Sequence, residues 1–149
     1  MGVEYYLVNK ENKTFYDLGK GGCWYYLQEE DDRQCLKDLE LLELYIAEEI
    51  FDKDDPSESE KEYFSQLAKD LFNFSKDSDI KNITVCSDCV DDSLVIKYLK
   101  YRCVGTRYKG KNKQEEQERI DFENRHFAKP DFYKINENDY EFLIQKYKL

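Results

Sequence analysis

The feature that most constrains the fold is a pair of apolar stripes separated by an acidic turn. Between Gln34 and Phe51, apolar residues recur three and four positions apart, which is the repeat of one face of an α-helix. The stripe consists of Cys35, Leu39, Leu42, Ile46 and Ile50, and it is widened by Leu36, Leu44 and Tyr45. A face this wide predicts a helix over 34–51 that packs against two neighbouring elements.

A second helix is predicted directly after the acidic turn. Pro56 interrupts the chain, Ser57 is a favourable N-cap, and Glu60 completes a capping box three residues later. The buried face that follows consists of Phe64, Leu67, Ala68, Leu71 and Phe72. The two segments together predict an antiparallel helical hairpin with an acidic connection.

Segments rich in Tyr, Phe and Val predict the strands. Val3–Val8 and Thr14–Leu18 flank the polar sequence NKENK, and this arrangement is typical of a β-hairpin. Ile83–Ser87 predicts a third strand. Val95–Tyr108 alternates apolar and basic residues as a strand does, but a helical turn after Asp92 fits as well. We favour mainly strand for that segment.

The last third of the chain predicts a basic loop followed by an exposed helix. Lys109–Lys113 is the loop, and Gln114–Phe127 is the helix. Opposite charges stand four residues apart on this helix in two pairs, which stabilise an exposed helix. These pairs are Glu115 with Arg119 and Asp121 with Arg125.

A C-terminal helix completes the predicted order of elements. Asn138 is its cap, and its apolar stripe consists of Tyr140, Leu143, Ile144 and Tyr147. The order predicts one α+β domain over residues 1–149. It has an N-terminal β-hairpin, an acidic helical hairpin, further strands in one antiparallel or mixed sheet, and the C-terminal helix.

The composition indicates a folded protein of the cytoplasm. Of 149 residues, 40% are hydrophobic and 15% aromatic, which is enough apolar material for a core. No apolar run reaches the roughly 18 residues of a membrane span. The N-terminal residues lack the basic and apolar regions of a signal peptide. The five cysteines are therefore expected to be reduced.

The charge is unevenly distributed along the chain. Gln28–Asp79 contains eighteen Asp and Glu residues against six Lys and Arg residues, a net charge of −12. Lys97–Lys113 contains seven Lys and Arg residues and no acid. The whole chain carries −10, which repels nucleic acid and attracts basic partners.

The acidic helices predict a surface that binds a basic protein. Carboxylates on rigid helices speed association with a basic groove, as in inhibitors of nucleic-acid enzymes and immunity proteins against nuclease toxins. We therefore expect a binding module of the inhibitor, immunity or phage-accessory type rather than an enzyme, with no cofactor. The alternative is an ordinary solvated face. The predicted partner-binding residues are Glu29, Glu30, Asp31, Asp32, Glu40, Glu43, Glu48, Asp52, Asp54 and Asp55.

The basic segment Arg102–Lys113 allows a different partner. Basic residues interleaved with Tyr108 suit single-stranded nucleic acid. The negative charge of the whole chain argues against direct binding of nucleic acid. We expect this segment to neutralise the protein's own acids or to contact an acidic partner.

The sequence ITVCSDCVDD, residues 83–92, provides the alternative hypothesis of a metal-binding domain. Cys86 and Cys89 have the spacing of zinc ligands, and Cys103 and His126 could complete a tetrahedral site. Asp88, Asp91 and Asp92 could instead bind a hard cation such as Mg²⁺, and the protein would then be a metal-dependent enzyme. The ordinary alternative is a strand that ends in a polar turn. A redox dithiol is disfavoured, because neighbouring carboxylates raise the pKa of a thiol.

Overall fold

The computed structural model describes residues 3–20, 24, 27, 29–87, 100–109, 111–128, 138, 141–142 and 145. Within these ranges the chain forms a β-hairpin, then a group of helices, then two further strands and a long helix. This order confirms the predicted α+β class. In the described part of the chain, no helix has the length and apolar character needed to cross a membrane.

Four strands form one mixed sheet. They are β1 (Glu4–Asn9), β2 (Thr14–Lys20), β3 (Ile83–Ser87) and β4 (Arg102–Thr106). Their order in the sheet is β3-β1-β2-β4. β1 pairs antiparallel with β2 and β3, whereas β2 pairs in parallel with β4. The predicted hairpin and third strand are therefore confirmed. In the ambiguous segment Val95–Tyr108, residues 102–106 form a strand, as favoured, and residues 95–99 lie outside the described residues.

The helix predicted over 34–51 is in fact interrupted. A short helix α1 (Glu30–Arg33) continues as a 3-10 turn (Gln34–Lys37), and α2 (Leu39–Tyr45) then begins separately. Asp38 separates them with an extended backbone, φ −135° and ψ 110°, and its side chain accepts a hydrogen bond from the Leu41 N–H. Asp38 thus acts as an N-cap, which a continuous helix would not allow. A π-helical turn (Ile46–Ile50) follows α2.

Helix α3 (Glu58–Ser75) begins at the predicted capping box. The Ser57 hydroxyl accepts a hydrogen bond from the Glu60 N–H, and the Glu60 carboxylate accepts one from the Ser57 N–H. This backbone hydrogen bond lowers the pKa of Glu60. The two bonds satisfy N–H groups that the first turn of a helix leaves without partners.

Replacing Ser57 with Ala is expected to lower the free energy of unfolding by about 1 kcal/mol, because the cap of α3 is lost. Urea denaturation measures the change. Ser59→Ala is the matched control, since Ser59 is exposed two residues later and caps no backbone N–H. Equal losses in the two variants would contradict the capping role.

The sheet is covered on both faces, so the residues of β1 from Tyr5 to Asn9 are all buried. On one face, the core includes Tyr5, Leu7, Trp24 and residues of α2 and α3 such as Leu42, Ile46, Phe64 and Leu67. The other face is smaller and contains Tyr6, Val8, Phe15, Cys86, Tyr101, Cys103 and Phe127. Side chains on a strand alternate between faces, so β1 supplies both cores.

The last helix described in full is α4 (Lys113–Ala128), which confirms the helix predicted at 114–127. It is less exposed than predicted. Phe127 packs edge-on against Tyr6 and Phe15, with ring centroids 5.3 Å and 5.1 Å apart. The C-terminal helix predicted after Asn138 lies largely outside the described residues.

Candidate functional site

A groove of about 370 Å³ lies between α2 and α3. Its walls come from α2 and the π turn, from the connection to α3, and from the first two turns of α3. The lining residues are Glu40, Glu43, Leu44, Ala47, Glu48, Lys53, Asp54, Pro56, Lys61 and Phe64.

The apolar part of the groove results from the way α2 is oriented on the core. Leu42 and Ile46 are fully buried, whereas Leu44 between them is 55% exposed. Residues two positions apart point to different sides of a helix. Because Leu42 and Ile46 face the core, Leu44 faces solvent. The prediction that Leu44 widens the buried stripe was therefore wrong. Leu44 instead lines the groove together with Ala47, Pro56 and Phe64.

The π turn brings the connection back toward α2. The Phe51 N–H donates to the Ile46 carbonyl at 3.1 Å, and the Lys53 N–H donates to the Ala47 carbonyl at 2.8 Å. Asp52 adopts a positive φ of 51°, which turns the chain sharply. As a result Lys53 and Asp54 line the groove opposite α2. π-helical turns recur at functional sites in proteins.

The polar lining of the groove is predominantly acidic. Four carboxylates contribute to it, against two lysines. Each lysine lies 3.5 Å from a glutamate that is not part of the lining: Lys53 from Glu60, and Lys61 from Glu58. Such exposed ion pairs contribute little stability, and the four carboxylates of the lining still outnumber its two lysines. The groove therefore combines an apolar floor with a negative rim.

The structure divides the ten predicted partner-binding residues into three places. Four of them line the groove: Glu40, Glu43, Glu48 and Asp54. Glu29 to Asp32 lie exposed on and before α1, and Asp52 and Asp55 lie exposed in the connection between α2 and α3. The first group is combined with apolar side chains in a concave surface.

The two described cysteines of the predicted zinc site are not brought together. Cys86 is in β3 and Cys103 is in β4, the two edge strands of the sheet, with β1 and β2 between them. Three strand spacings amount to on the order of 14 Å. Zinc–sulfur bonds of about 2.3 Å hold ligands far closer than that. A single ion therefore does not contact both sulfurs.

The remaining residues of the predicted metal site fall into two groups. His126 is exposed on α4, where its ring stacks on Phe122 with centroids 6.4 Å apart. Asp88, Cys89, Asp91 and Asp92 lie outside the described residues, and for them the prediction stays a prediction. In the part that is described, no group of three or more His, Cys, Asp and Glu residues could hold a metal ion.

Burial makes the Cys103 thiol chemically inert. It is 2% exposed and donates a hydrogen bond to the Gly105 carbonyl at 3.3 Å. Burial raises the pKa of Cys103 to about 12, so the thiolate needed for metal binding or redox chemistry is not formed at neutral pH.

The described part of the basic segment makes contacts within the protein. The Arg107 guanidinium stacks over the rings of Tyr108 and Phe51, 4.6 Å and 5.7 Å from their centroids. Lys109 forms ion pairs with Asp70 and with Glu116, the latter at 2.7 Å. These contacts agree with the interpretation that the segment neutralises the protein's own acids.

A second hollow of about 330 Å³ lies beside these ion pairs and is lined by Tyr16 of β2, Asp70, Asn73 and Phe74 of α3, Val104 and Gly105 of β4, and Glu116 of α4. Two of its lining carboxylates, Asp70 and Glu116, are those bound by Lys109. The Tyr16 hydroxyl donates to the Thr106 carbonyl at 2.8 Å. The polar groups of this hollow are thus engaged in holding α3 and α4 to the sheet.

A buried cluster of charges attaches α4 to the other face of the sheet. Asp17 of β2 is fully buried and accepts hydrogen bonds from the Thr106 hydroxyl at 3.0 Å and the Gly19 N–H at 2.9 Å. Arg119 of α4 lies 3.3 Å from Asp17 and 3.1 Å from Glu123. Glu4 is 4.0 Å from the same guanidinium. Three carboxylates therefore share one guanidinium.

Aromatic rings enclose the guanidinium of the cluster. The Arg119 guanidinium carbon lies 4.9 Å from the Tyr108 ring centroid and 5.3 Å from that of Phe122. Tyr108 packs directly on Gly19, which has a φ of +68° and where a Cβ atom would lie 2.5 Å from the Tyr108 hydroxyl. Glycine is required at this position for both reasons.

Burial raises the pKa values of two carboxyl groups in the cluster. Burial, reinforced by the negative charge of Asp17, raises the pKa of Glu123 to about 7. Burial also raises the pKa of Asp17. One carboxylate oxygen of Glu123, Oε2, is buried without a hydrogen-bond partner. Asp17 and Glu123 are closed off from solvent, and Arg119 connects both of them, so the cluster holds α4 to the sheet.

Sequence reasoning did not find this cluster, although one signal for it was present. Asp17 interrupts the otherwise apolar and aromatic strand 14–18, and a charge inside a buried strand needs a partner. The pair predicted between Glu115 and Arg119 does not form. Arg119 binds Glu123 instead, and the Glu115 carboxylate accepts a hydrogen bond from the Lys111 N–H at 2.6 Å.

Comparison with known proteins gives no further information on the function: no family model, curated protein or solved structure matches the chain.

Proposed function

We propose that this protein is a binding module that docks the groove between α2 and α3 onto a basic partner protein. The observation that carries the proposal is the combination of an exposed leucine and four carboxylates in one concave surface. An inhibitor or immunity protein that covers the basic site of a nucleic-acid enzyme or a toxin has this chemistry. We place this interaction in the cytoplasm, and it requires no cofactor.

The two kinds of residue in the groove have different tasks in this proposal. The carboxylates attract a basic surface from a distance and speed its approach. Leu44, with the half-buried Ala47 and Pro56 beside it, supplies the apolar contact that slows dissociation, since binding energy concentrates on apolar anchors in desolvated pockets. An acidic face that is only solvated would need the carboxylates but not the apolar residues.

The groove forms the centre of the proposed interface. A stable interface buries on the order of 800 Å² on each partner, which exceeds the area of a single groove. Asp52 and Asp55 are exposed in the α2–α3 connection, next to the lining residues Lys53, Asp54 and Pro56, and they extend the acidic surface as a polar rim.

Affinity capture at low salt tests the proposal with three forms of the protein. The groove variant carries Glu40→Lys and Glu48→Lys. The matched control carries Glu118→Lys and Asp121→Lys, which change the net charge equally at exposed positions of α4. We expect a basic protein to be retained by the wild type and the control and lost from the groove variant. Equal retention by all three forms would contradict the proposal.

A further inference from the structure

We infer that the groove binds its partner through an amphipathic basic helix, with apolar anchors on one face and Lys or Arg residues beside them. The inference rests on the proposed function and specifies the part of the partner that is recognised. Three observations lead to it: the chemical groups that the groove presents, the pattern of its residues, and the distribution of its charge.

The groove presents side chains of α2, the π turn, α3 and the connection between them, and none of its lining residues belongs to a strand. Its α2 wall is hydrogen-bonded helix, and the capping box uses the N–H groups of Ser57 and Glu60 at the start of α3. An extended peptide docked here would bury its own N–H and C=O groups without a ladder of backbone partners, which is costly. A helix satisfies its backbone internally and needs only side-chain contacts.

The wall formed by α2 and the π turn has the pattern of a helix-packing surface. Residues 40, 43, 44, 47 and 48 follow the helical spacing of three and four over two turns. Leu44 and Ala47 are in the middle of this stripe, with Phe64 of α3 also in the lining. The small side chain of Ala47 allows a close approach, and packed helices lie 8–10 Å apart. A third helix laid between α2 and α3 therefore covers the apolar floor.

The carboxylates define where the partner's charges lie. Glu40 and Glu43 precede the apolar centre of the stripe, Glu48 follows it, and Asp54 lies in the connection. A helix with apolar residues three and four positions apart and basic residues on both sides of that stripe complements this arrangement. Arg suits the carboxylates especially well, because its guanidinium binds them in a bidentate manner.

Three labelled synthetic peptides test the inference by fluorescence anisotropy. The first has Leu at helical spacing with Lys and Arg beside the apolar stripe. The second has the same composition in a permuted order with no apolar face, and the third has a central Pro in the first sequence. Each is titrated with the wild type, the groove variant (Glu40→Lys, Glu48→Lys), the α4 control (Glu118→Lys, Asp121→Lys) and Leu44→Ser.

We expect the first peptide to bind the wild type and the α4 control at least about tenfold more tightly than the other two peptides. Its circular dichroism should become more helical on binding. The groove variant and Leu44→Ser should lose this preference. Leu44 is exposed, so its replacement leaves the core intact.

The outcomes separate the inference from the proposed function. If all three peptides bind equally and only the groove variant loses them, a basic partner binds but not as a helix, and the inference is overturned. If no peptide binds, or if the groove variant binds as well as the α4 control, the inference and the proposed function are both contradicted.

Discussion

Replacing Glu123 with Gln is expected to stabilise the protein at pH 8 and to leave it almost unchanged at pH 5. In the folded protein, the pKa of Glu123 is about 7, against an ordinary value of 4.5, because the carboxyl is buried next to Asp17. The folded state therefore holds a proton that the unfolded state releases. The stability from this proton is complete below pH 4.5 and is lost as the pH rises through 7.

The expected size follows from the shift between the two pKa values. The free energy of unfolding of the wild type should fall, relative to that of the variant, by up to roughly 3 kcal/mol between pH 4.5 and pH 8. Glu4 and Tyr6 of β1, Asp17 of β2, Cys103 of β4 and Arg119 of α4 complete the electrostatic surroundings of Glu123.

Urea denaturation across this pH range measures the effect. Glu118→Gln is the control, because Glu118 is exposed on the same helix. Other acidic residues also make the stability of the wild type and of both variants depend on pH. We therefore compare, at each pH, the difference in the free energy of unfolding between each variant and the wild type. Parallel stability curves for the wild type and Glu123→Gln would show that Glu123 is already ionised at pH 5 and would contradict the account.

Replacing Arg119 with Met is expected to destabilise the protein strongly. Met keeps much of the aliphatic chain but removes the guanidinium that three carboxylates share. Asp17 and Glu123 are then buried without their cation, which typically costs about 3–5 kcal/mol. The loss should shrink at acidic pH, because protonated carboxyls no longer need the cation.

The same urea measurements at pH 8 and pH 5 test this second prediction. Arg125→Met is the control on an exposed position of α4 and should change stability by less than about 0.5 kcal/mol. Arg119→Lys, which keeps a positive charge, should lose less than Arg119→Met. If Arg119→Met loses as little stability as Arg125→Met, or if its loss of stability is the same at both pH values, Arg119 does not balance the buried carboxylates.

The elements that local sequence determines were predicted well. The capping box at Ser57 and Glu60 uses residues three positions apart, and the hairpin of β1 and β2 follows from two aromatic segments around a polar loop. The break at Asp38 was missed because the apolar spacing runs through it without interruption. Only the backbone conformation shows that the Asp38 side chain caps α2.

The parts that depend on tertiary packing could not be predicted. Arg119 meets Asp17 across 102 residues of sequence, and no local pattern indicates that contact. Leu44 fits the apolar stripe of α2 by spacing, but the core covers only the side of the helix that carries Leu42 and Ile46. The acids of the groove were predicted as a charged surface, whereas its apolar floor became apparent only from the folded structure.

The association rate constant with the captured basic partner, measured by stopped flow as a function of salt, shows whether the acidic groove is the docking surface. For the wild type and the Glu118→Lys, Asp121→Lys control, we expect the rate constant to fall at least about tenfold between roughly 0.02 M and 0.2 M salt. The Glu40→Lys, Glu48→Lys variant should associate slowly at low salt and show little dependence on salt. If the association rate constants of the groove variant and the α4 control fall equally, or if salt has no effect on that of the wild type, the acidic groove is not the docking surface.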